Sequence, residues 1–324
     1  MDNTLFDIAI VGSGPQGLYA SYKLKNKYNI ICLEKDNNIS NNILSYPNIK
    51  WHHTMGPLKL PGTLNLDIDD EYTGDSKFIS SYYKKFNDEH NLNFITNKEV
   101  IDIVKFKNNY KLIIKDKTSY LCKIVILCTG IYNNFNKLDI NTKYDFCVYK
   151  LNNFNIRNKK LIIVGGGASS TDYVVNLLPN NNTIYWIIRG NKYFELSDRH
   201  RRHTNFDSIL SKYKNKLNIY YNSCITYINS DKSILLNNNI KIDNVDYCIL
   251  LLGYHSKSKL IENTNIECED NKYIKLNNNY ETSKKNIYCA GSICTQKDHK
   301  VYIDNGNDYI LSKILIDIDN KLKS

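Results

Sequence analysis

Six residues, Gly12-Ser13-Gly14-Pro15-Gln16-Gly17, match the spacing G-x-G-x-x-G directly behind the apolar run FDIAIV. The three glycines have separate uses. Gly12 allows a tight turn, Gly14 lets backbone N–H groups approach a pyrophosphate, and Gly17 lets the following helix lie close to its strand. The free N–H groups and positive end of that helix then face the anion. Glu34 stands 17 residues after Gly17, closing the next apolar run, YNIICLEK, where a carboxylate can accept the hydroxyls of an adenosine ribose. The chemistry these residues can do is to hold a dinucleotide.

The plan recurs 153 residues later, where Gly165-Gly166-Gly167-Ala168-Ser169-Ser170 follows NKKLIIV. Ser170 replaces the third glycine; it is small enough for the helix–strand contact, and the hydroxyls of Ser169 and Ser170 are candidate phosphate donors. Arg189 ends the next strand, TIYWIIRG, 24 residues after Gly165. An acid there would select the 2′-hydroxyl of NAD, whereas an arginine accommodates the 2′-phosphate of NADP, so the second nucleotide is expected to be NADPH. Lys192, Arg199, Arg201 and Arg202 follow closely; they either extend this phosphate site or form a solvated helix face. His200 and His203 fall in the same cluster without a cysteine or acid at zinc spacing, and no metal site is expected.

The elements that must position these residues are two β–glycine turn–α–β units, each begun by an apolar strand and continued by a helix-compatible stretch. The chain has 324 residues, 43 Lys plus Arg against 33 Asp plus Glu, and a net charge of +10. That length suits two domains with cores of their own. No run approaches the roughly 18 apolar residues of a membrane span, and 12% aromatic content argues against disorder. The lysines are scattered, so nucleic acid and membrane partners are not expected. Nine cysteines, with no C-x-x-C and most inside apolar runs, read as buried residues of a cytoplasmic protein. Cys289 and Cys294 flank Gly291 and are candidates for a redox pair, although Cys289 also reads as a buried strand residue. The expected fold is α/β, with two Rossmann-like doubly wound nucleotide-binding domains and crossings near Tyr149 and Gly253.

Together these residues resemble the flavoprotein reductases with two dinucleotide-binding domains, built like thioredoxin reductase. Thr129-Gly130 after KIVILC is similar to that group's A-T-G turn, Leu252-Gly253-Tyr254 to its T-G-Y return, and Cys289-Ala290-Gly291 to the start of its A-G-D stretch. The resemblance implies an NADPH domain inserted into an FAD domain: residues 1–149 and 254–324 for FAD, 150–253 for NAD(P)H. It also places Lys35 beside the adenosine phosphate, Val100 beside adenine, and Gly291 and Ser292 beside the flavin ribityl chain. Within the group the chain resembles the YpdA-type proteins, regarded as bacillithiol disulfide reductases. Four stretches carry this: Ser45-Tyr46-Pro47, Thr129-Gly130-Ile131-Tyr132, Ile188-Arg189-Gly190 and Tyr302-Ile303-Asp304-Asn305-Gly306.

Three departures shape the expected activity. The cysteine pair of thioredoxin reductases has no counterpart after Gly167. The YpdA-type cysteine in the first glycine loop corresponds to Gln16, which cannot form a mixed disulfide. The acid of A-G-D is Ser292, leaving a hydroxyl for the ribityl contact. The expected activity is that of an FAD-dependent NAD(P)H oxidoreductase passing electrons to a small acceptor, such as a low-molecular-weight disulfide. Flavin-dependent N- or S-hydroxylation, reduction of a ferredoxin or flavodoxin, and a non-enzymatic nucleotide-bound sensor are the alternatives. The group also implies a homodimer. No side chain is obligatory for hydride transfer. Gln16, Cys289, Cys294 and His53 are the catalytic candidates; His53, ahead of its neighbour His52, could protonate a leaving thiolate or the flavin N5.

Overall fold

The computed structural model describes residues 4–46, 60, 75–194, 205–301 and 303–323, the last stretch with side chains from 308 on. Strand β1 (Leu5–Val11) lies inside the first sheet and is wholly apolar from Ile8 onward. A parallel strand covered on both faces requires that pattern. Parallel strands β2 (Ile30–Leu33) and β3 (Phe94–Ile95) extend the sheet on one side, and β6 (Ser119–Leu127) pairs on the other. β4 (Val100–Phe106) and β5 (Asn109–Ile114) form an antiparallel meander with the first half of β6. β17 (Ile287–Cys289) pairs in parallel with its second half. The order is β3-β2-β1-β6-β5-β4, with β17 beside β6.

Helix α1 (Pro15–Leu24) begins with a proline whose missing N–H costs nothing at that position, and it buries Leu18 and Leu24 against the sheet. α2 (Asn41–Leu44) is a single turn. α3 (Ser76–Glu89) buries Ile79, Tyr83 and Phe86, and its N-cap Asp75 accepts the Phe78 N–H at 2.9 Å. α7 (Ile303–Lys323) packs on α1.

The second sheet is all parallel, in the order β10-β9-β8-β14-β7. Its strands are β7 (Cys147–Val148), β8 (Lys160–Val164), β9 (Thr183–Ile187), β10 (Leu217–Tyr220) and β14 (Tyr247–Leu250). Helices α4 (Ala168–Leu177) and α5 (Phe206–Lys212) cover one face. The other face buries Ile162, Val164, Ile187, Cys248 and Leu250 under an antiparallel ribbon, β11 (Ile225–Ile228), β12 (Ile234–Leu236) and β13 (Lys241–Ile242). The chain returns through α6 (Lys259–Asn263), which packs on β4, and the hairpin β15 (Cys268–Glu269) and β16 (Tyr273–Ile274). The second sheet is thus complete before β17 closes the first. β7 joins the second sheet although it precedes residue 150, because its backbone pairs with the free edge of β14.

β1 has β2 on one side and β6 on the other, and β8 likewise has β9 and β14. Connections leaving to opposite sides open a crevice at the carboxyl ends of the strands. Each glycine turn sits at such a point.

Candidate functional site

At the first turn Gly12 has φ +103°, and a Cβ there would stand 2.6 Å from the Cys128 carbonyl oxygen. A Cβ on Gly17 would meet the Gly12 carbonyl oxygen at 1.9 Å, so strand and helix approach each other as only glycine allows. A Cβ on Gly14 would meet nothing within 4 Å. Its backbone faces a cavity of about 290 Å³ that also receives Gly12, Ser13, Pro15, Gln16, Glu34, Lys35, Val100, Thr129, Gly130, Gly291 and Ser292. Residues separated by up to 280 positions thus converge on one groove at the end of β1, with open space in front of the α1 N-terminus. That arrangement fits a dinucleotide.

Glu34 is 7% exposed. One of its oxygens accepts from the Ser13 N–H at 2.8 Å and the Ser13 hydroxyl at 2.5 Å, and the other accepts the Asp36 N–H at 2.9 Å. Ser13 also accepts the Ser40 N–H at 3.1 Å on its hydroxyl oxygen. Ser13 is therefore a brace of the loop, its proton and N–H taken by Glu34. Lone pairs remain on the Glu34 carboxylate where it lines the cavity. Ser40, which sequence reasoning missed, completes the brace from a left-handed backbone position just before α2.

At the other end of the cavity the Gln16 side chain lies against Gly291, where a Cβ would stand 2.9 Å from the Gln16 Cβ. Gly291 has φ +83° and opens the short helical turn Ser292–Cys294. A Cβ on Gly130 would lie 3.4 Å from the Ser292 hydroxyl, so the two turns meet there. The proposed redox pair is corrected here. Cys289 and Cys294 are 0% and 2% exposed, and the Cys294 thiol donates to the Cys289 carbonyl at 3.0 Å. Burial pushes both thiols far above the usual thiol range, which removes the thiolate a redox centre needs.

The second turn repeats the first. Gly165 has φ +126°, its Cβ position would meet the Leu251 carbonyl oxygen at 2.2 Å, and Gly167 faces open space before α4. The Trp186 indole donates to the Gly165 carbonyl at 2.7 Å, fixing the turn against β9. Both serine hydroxyls have partners within the protein. Ser170 donates to the Gly167 carbonyl at 2.6 Å, and the Ser169 hydroxyl pairs with the phenol of Tyr46. Backbone N–H groups of Ala168 and its neighbours are what the turn offers. Arg189 is exposed beyond β9 and has no ion-pair partner among the described residues. Gly253, φ +81°, does not line the cavity; its carbonyl accepts the Asn136 N–H at 3.0 Å and holds the returning chain.

Tyr46 was legible only as part of a family pattern, yet it joins the two halves. Its phenol pairs with the Ser169 hydroxyl, and burial, followed by the nearby Asp172 carboxylate, holds that phenol well above the usual range. Tyr254 in turn meets Tyr132 and Phe135 with centroids 5.1 and 5.4 Å apart. His52, His53 and the cluster Arg199 to His203 lie outside the described residues.

A family model described as pyridine nucleotide-disulphide oxidoreductase matches residues 9–291. Coenzyme A disulfide reductase of Staphylococcus epidermidis is 27% identical over 141 residues, 44% of this chain and 31% of that protein, so the chain matches less than a third of its length. Bacilliredoxin reductase Bdr of Bacillus subtilis is 23% identical over 317 residues, 92% of this chain and 93% of that protein. Among solved structures, the bacillithiol disulfide reductase Bdr (YpdA) from Bacillus cereus superposes with a TM-score of 0.84 at 18% identity, covering 98% of this chain and all of that one. A flavin-containing monooxygenase from Stenotrophomonas maltophilia gives 0.82 at 11% identity, covering 98% of this chain and 99% of that one. At such identities the structures speak for the fold alone. With its two glycine turns, its nested sheets and a family match over most of its length, the chain belongs to the pyridine nucleotide-disulphide oxidoreductase family.

Proposed function

We propose that this chain binds FAD at the first turn and NADPH at the second, and passes electrons from NADPH to a low-molecular-weight disulfide. The observation that carries the reading is the pair of turns at the ends of β1 and β8, each with one glycine, Gly14 or Gly167, facing open space. The disulfide acceptor class is supported by the name of one relative, the coenzyme A disulfide reductase matched over 44% of this chain. Bound FAD would supply a two-electron carrier between nicotinamide and disulfide.

The protein's own residues do the holding. The N–H groups at the start of α1, behind Gly14, Pro15 and Gln16, receive the FAD pyrophosphate; Glu34 accepts the ribose hydroxyls; Lys35 and Val100 flank the adenosine. Thr129, Gly130, Gly291 and Ser292 wall the flavin end. Gly167 and Ala168 open the NADPH pyrophosphate site, and the exposed Arg189 guanidinium takes the 2′-phosphate in a bidentate contact. Gln16 occupies the place where the resemblance puts a cysteine. The acceptor disulfide is therefore reduced without a covalent bond to this loop. All nine cysteines are free, which suits a reducing compartment. No helix among the described residues is long and apolar enough to cross a membrane.

An anaerobic spectral titration tests the reading. The purified protein should carry flavin absorbance that NADPH bleaches at lower concentration than NADH, and small disulfides should restore it. Restoration no faster than in buffer alone overturns the disulfide assignment. A hydroxylated product formed with consumption of oxygen would instead place the chain with the monooxygenases.

A further inference from the structure

Nine cysteines are dispersed through the fold, yet two of them stand side by side. Cys147 of β7 and Cys248 of β14 are register partners on adjacent parallel strands. Partners in such a pair point to the same face. Adjacent strands run about 4.8 Å apart, within the roughly 4.4–6.8 Å between Cα atoms that a disulfide spans. Both side chains belong to the apolar cluster beneath the β11–β13 ribbon, Cys248 fully buried and Cys147 half-buried.

We propose that Cys147 and Cys248 form a redox-active dithiol, with Cys147 as the attacking thiol and Cys248 as the resolving one, which small disulfides convert into an intramolecular disulfide. The site is separate from the glycine-turn cavity, whose lining includes neither residue, and it does not depend on the activity proposed above. As register partners the two thiols are neighbours; the proximity of Cys248 holds Cys147 below the usual thiol range, and the proximity of Cys147 together with burial holds Cys248 well above it. Thiolate character therefore gathers on the more accessible sulfur, as an attacking cysteine requires. The other buried cysteines lack this arrangement: burial raises Cys32 to about 11 and Cys122 to about 12.

The exchange balances as two displacements. The Cys147 thiolate attacks a small disulfide R–S–S–R; that S–S bond breaks, a Cys147–S–S–R bond forms, and one RS⁻ leaves and is protonated by water. The Cys248 sulfur then attacks the Cys147 sulfur as its proton passes to the departing sulfur, forming the Cys147–Cys248 bond, breaking the Cys147–S–S–R bond and releasing the second RSH. The protein dithiol is oxidised by two electrons and the small disulfide is reduced by two. The bond ties the strand that enters the second sheet to the strand that leaves it, just ahead of the crossing at Gly253.

The test uses the full chain, fully reduced, freed of reductant and exposed to oxidised glutathione. Remaining thiols are then alkylated and the peptides mapped. Expected is a loss of two hydrogens in intact mass, with the peptides of Cys147 and Cys248 joined and the exposed Cys224 carrying any slower glutathione adduct. In Cys248→Ser the glutathione should stay on Cys147 as a trapped mixed disulfide, and in Cys147→Ser position 248 should be neither glutathionylated nor crosslinked. Recovery of both wild-type thiols in alkylated form, a crosslink from Cys147 to a different cysteine, or no adduct on Cys147 in Cys248→Ser overturns the proposal.

Discussion

Glu34 and Arg189 stand at equivalent places, one after β2 and one after β9, but their settings differ. Glu34 is locked by three donors, two from Ser13 and one from Asp36, and carries part of its own loop. Replacing it by alanine leaves the buried Ser13 N–H without its acceptor, at a cost of about 1–3 kcal/mol. Glu34→Ala should therefore lower the thermal midpoint and the flavin content of the purified protein together; unchanged flavin content would show that the carboxylate serves the loop only. Arg189 is exposed and has no ion-pair partner among the described residues, so Arg189→Ala should leave stability nearly unchanged. Loss of a charged contact to phosphate should raise the KM for NADPH roughly 10- to 100-fold, with the KM for NADH unaltered. Equal effects on both nucleotides in steady-state assays would count against the phosphate role.

At the scale of elements, the close approach at Gly17 and the cap at Asp75 each allow one measurement. Gly17→Ala forces a methyl to within 1.9 Å of the Gly12 carbonyl oxygen, which must push α1 off β1; flavin-free or insoluble protein is the expected outcome. Asp75→Ala removes the acceptor for the Phe78 N–H and should cost about 1 kcal/mol in denaturant unfolding. Elements built by local rules were legible in the sequence. Both glycine turns, the strands before and after them, and the helices α1 and α4 follow from spacing and apolar runs alone. β7 was not, since two residues give no periodicity and its existence depends on the edge of β14. The role of Tyr46 was hidden for a similar reason, being set by Ser169 and Asp172 more than a hundred residues away. Ser169 and Ser170 were legible as hydroxyls, but the partners that occupy those hydroxyls come from the helix turn itself and from Tyr46.

For the whole molecule, paired carboxylates and buried thiols set limits of opposite sign on stability. The Lys123 ammonium holds Asp7 below the usual carboxylate range, and Lys98 with Thr118 holds Asp116 down to about 2. Their folded values lie under the unfolded ones, so their contribution is complete above about pH 4 and is lost as pH falls further. Burial raises Cys32 and Cys122, whose contribution is complete below about pH 8.5 and is lost as pH climbs toward their folded values. Thermal midpoints should form a plateau between these limits and decline on both sides; a midpoint that rises between pH 4 and pH 3 would contradict the carboxylate account. Chain order adds a constraint in time. β17 and the turn Gly291–Ser292 are translated after all of the second sheet, yet β17 fills the free half of β6 and the turn lines the first cavity. A nascent chain stopped after Leu250 thus has every strand of its second sheet while β6 still waits with an unfilled edge. On the proposed reading flavin loading is a late event of biosynthesis, since a chain truncated before residue 287 has the second turn but lacks the strand and the Gly291–Ser292 turn that complete the first cavity.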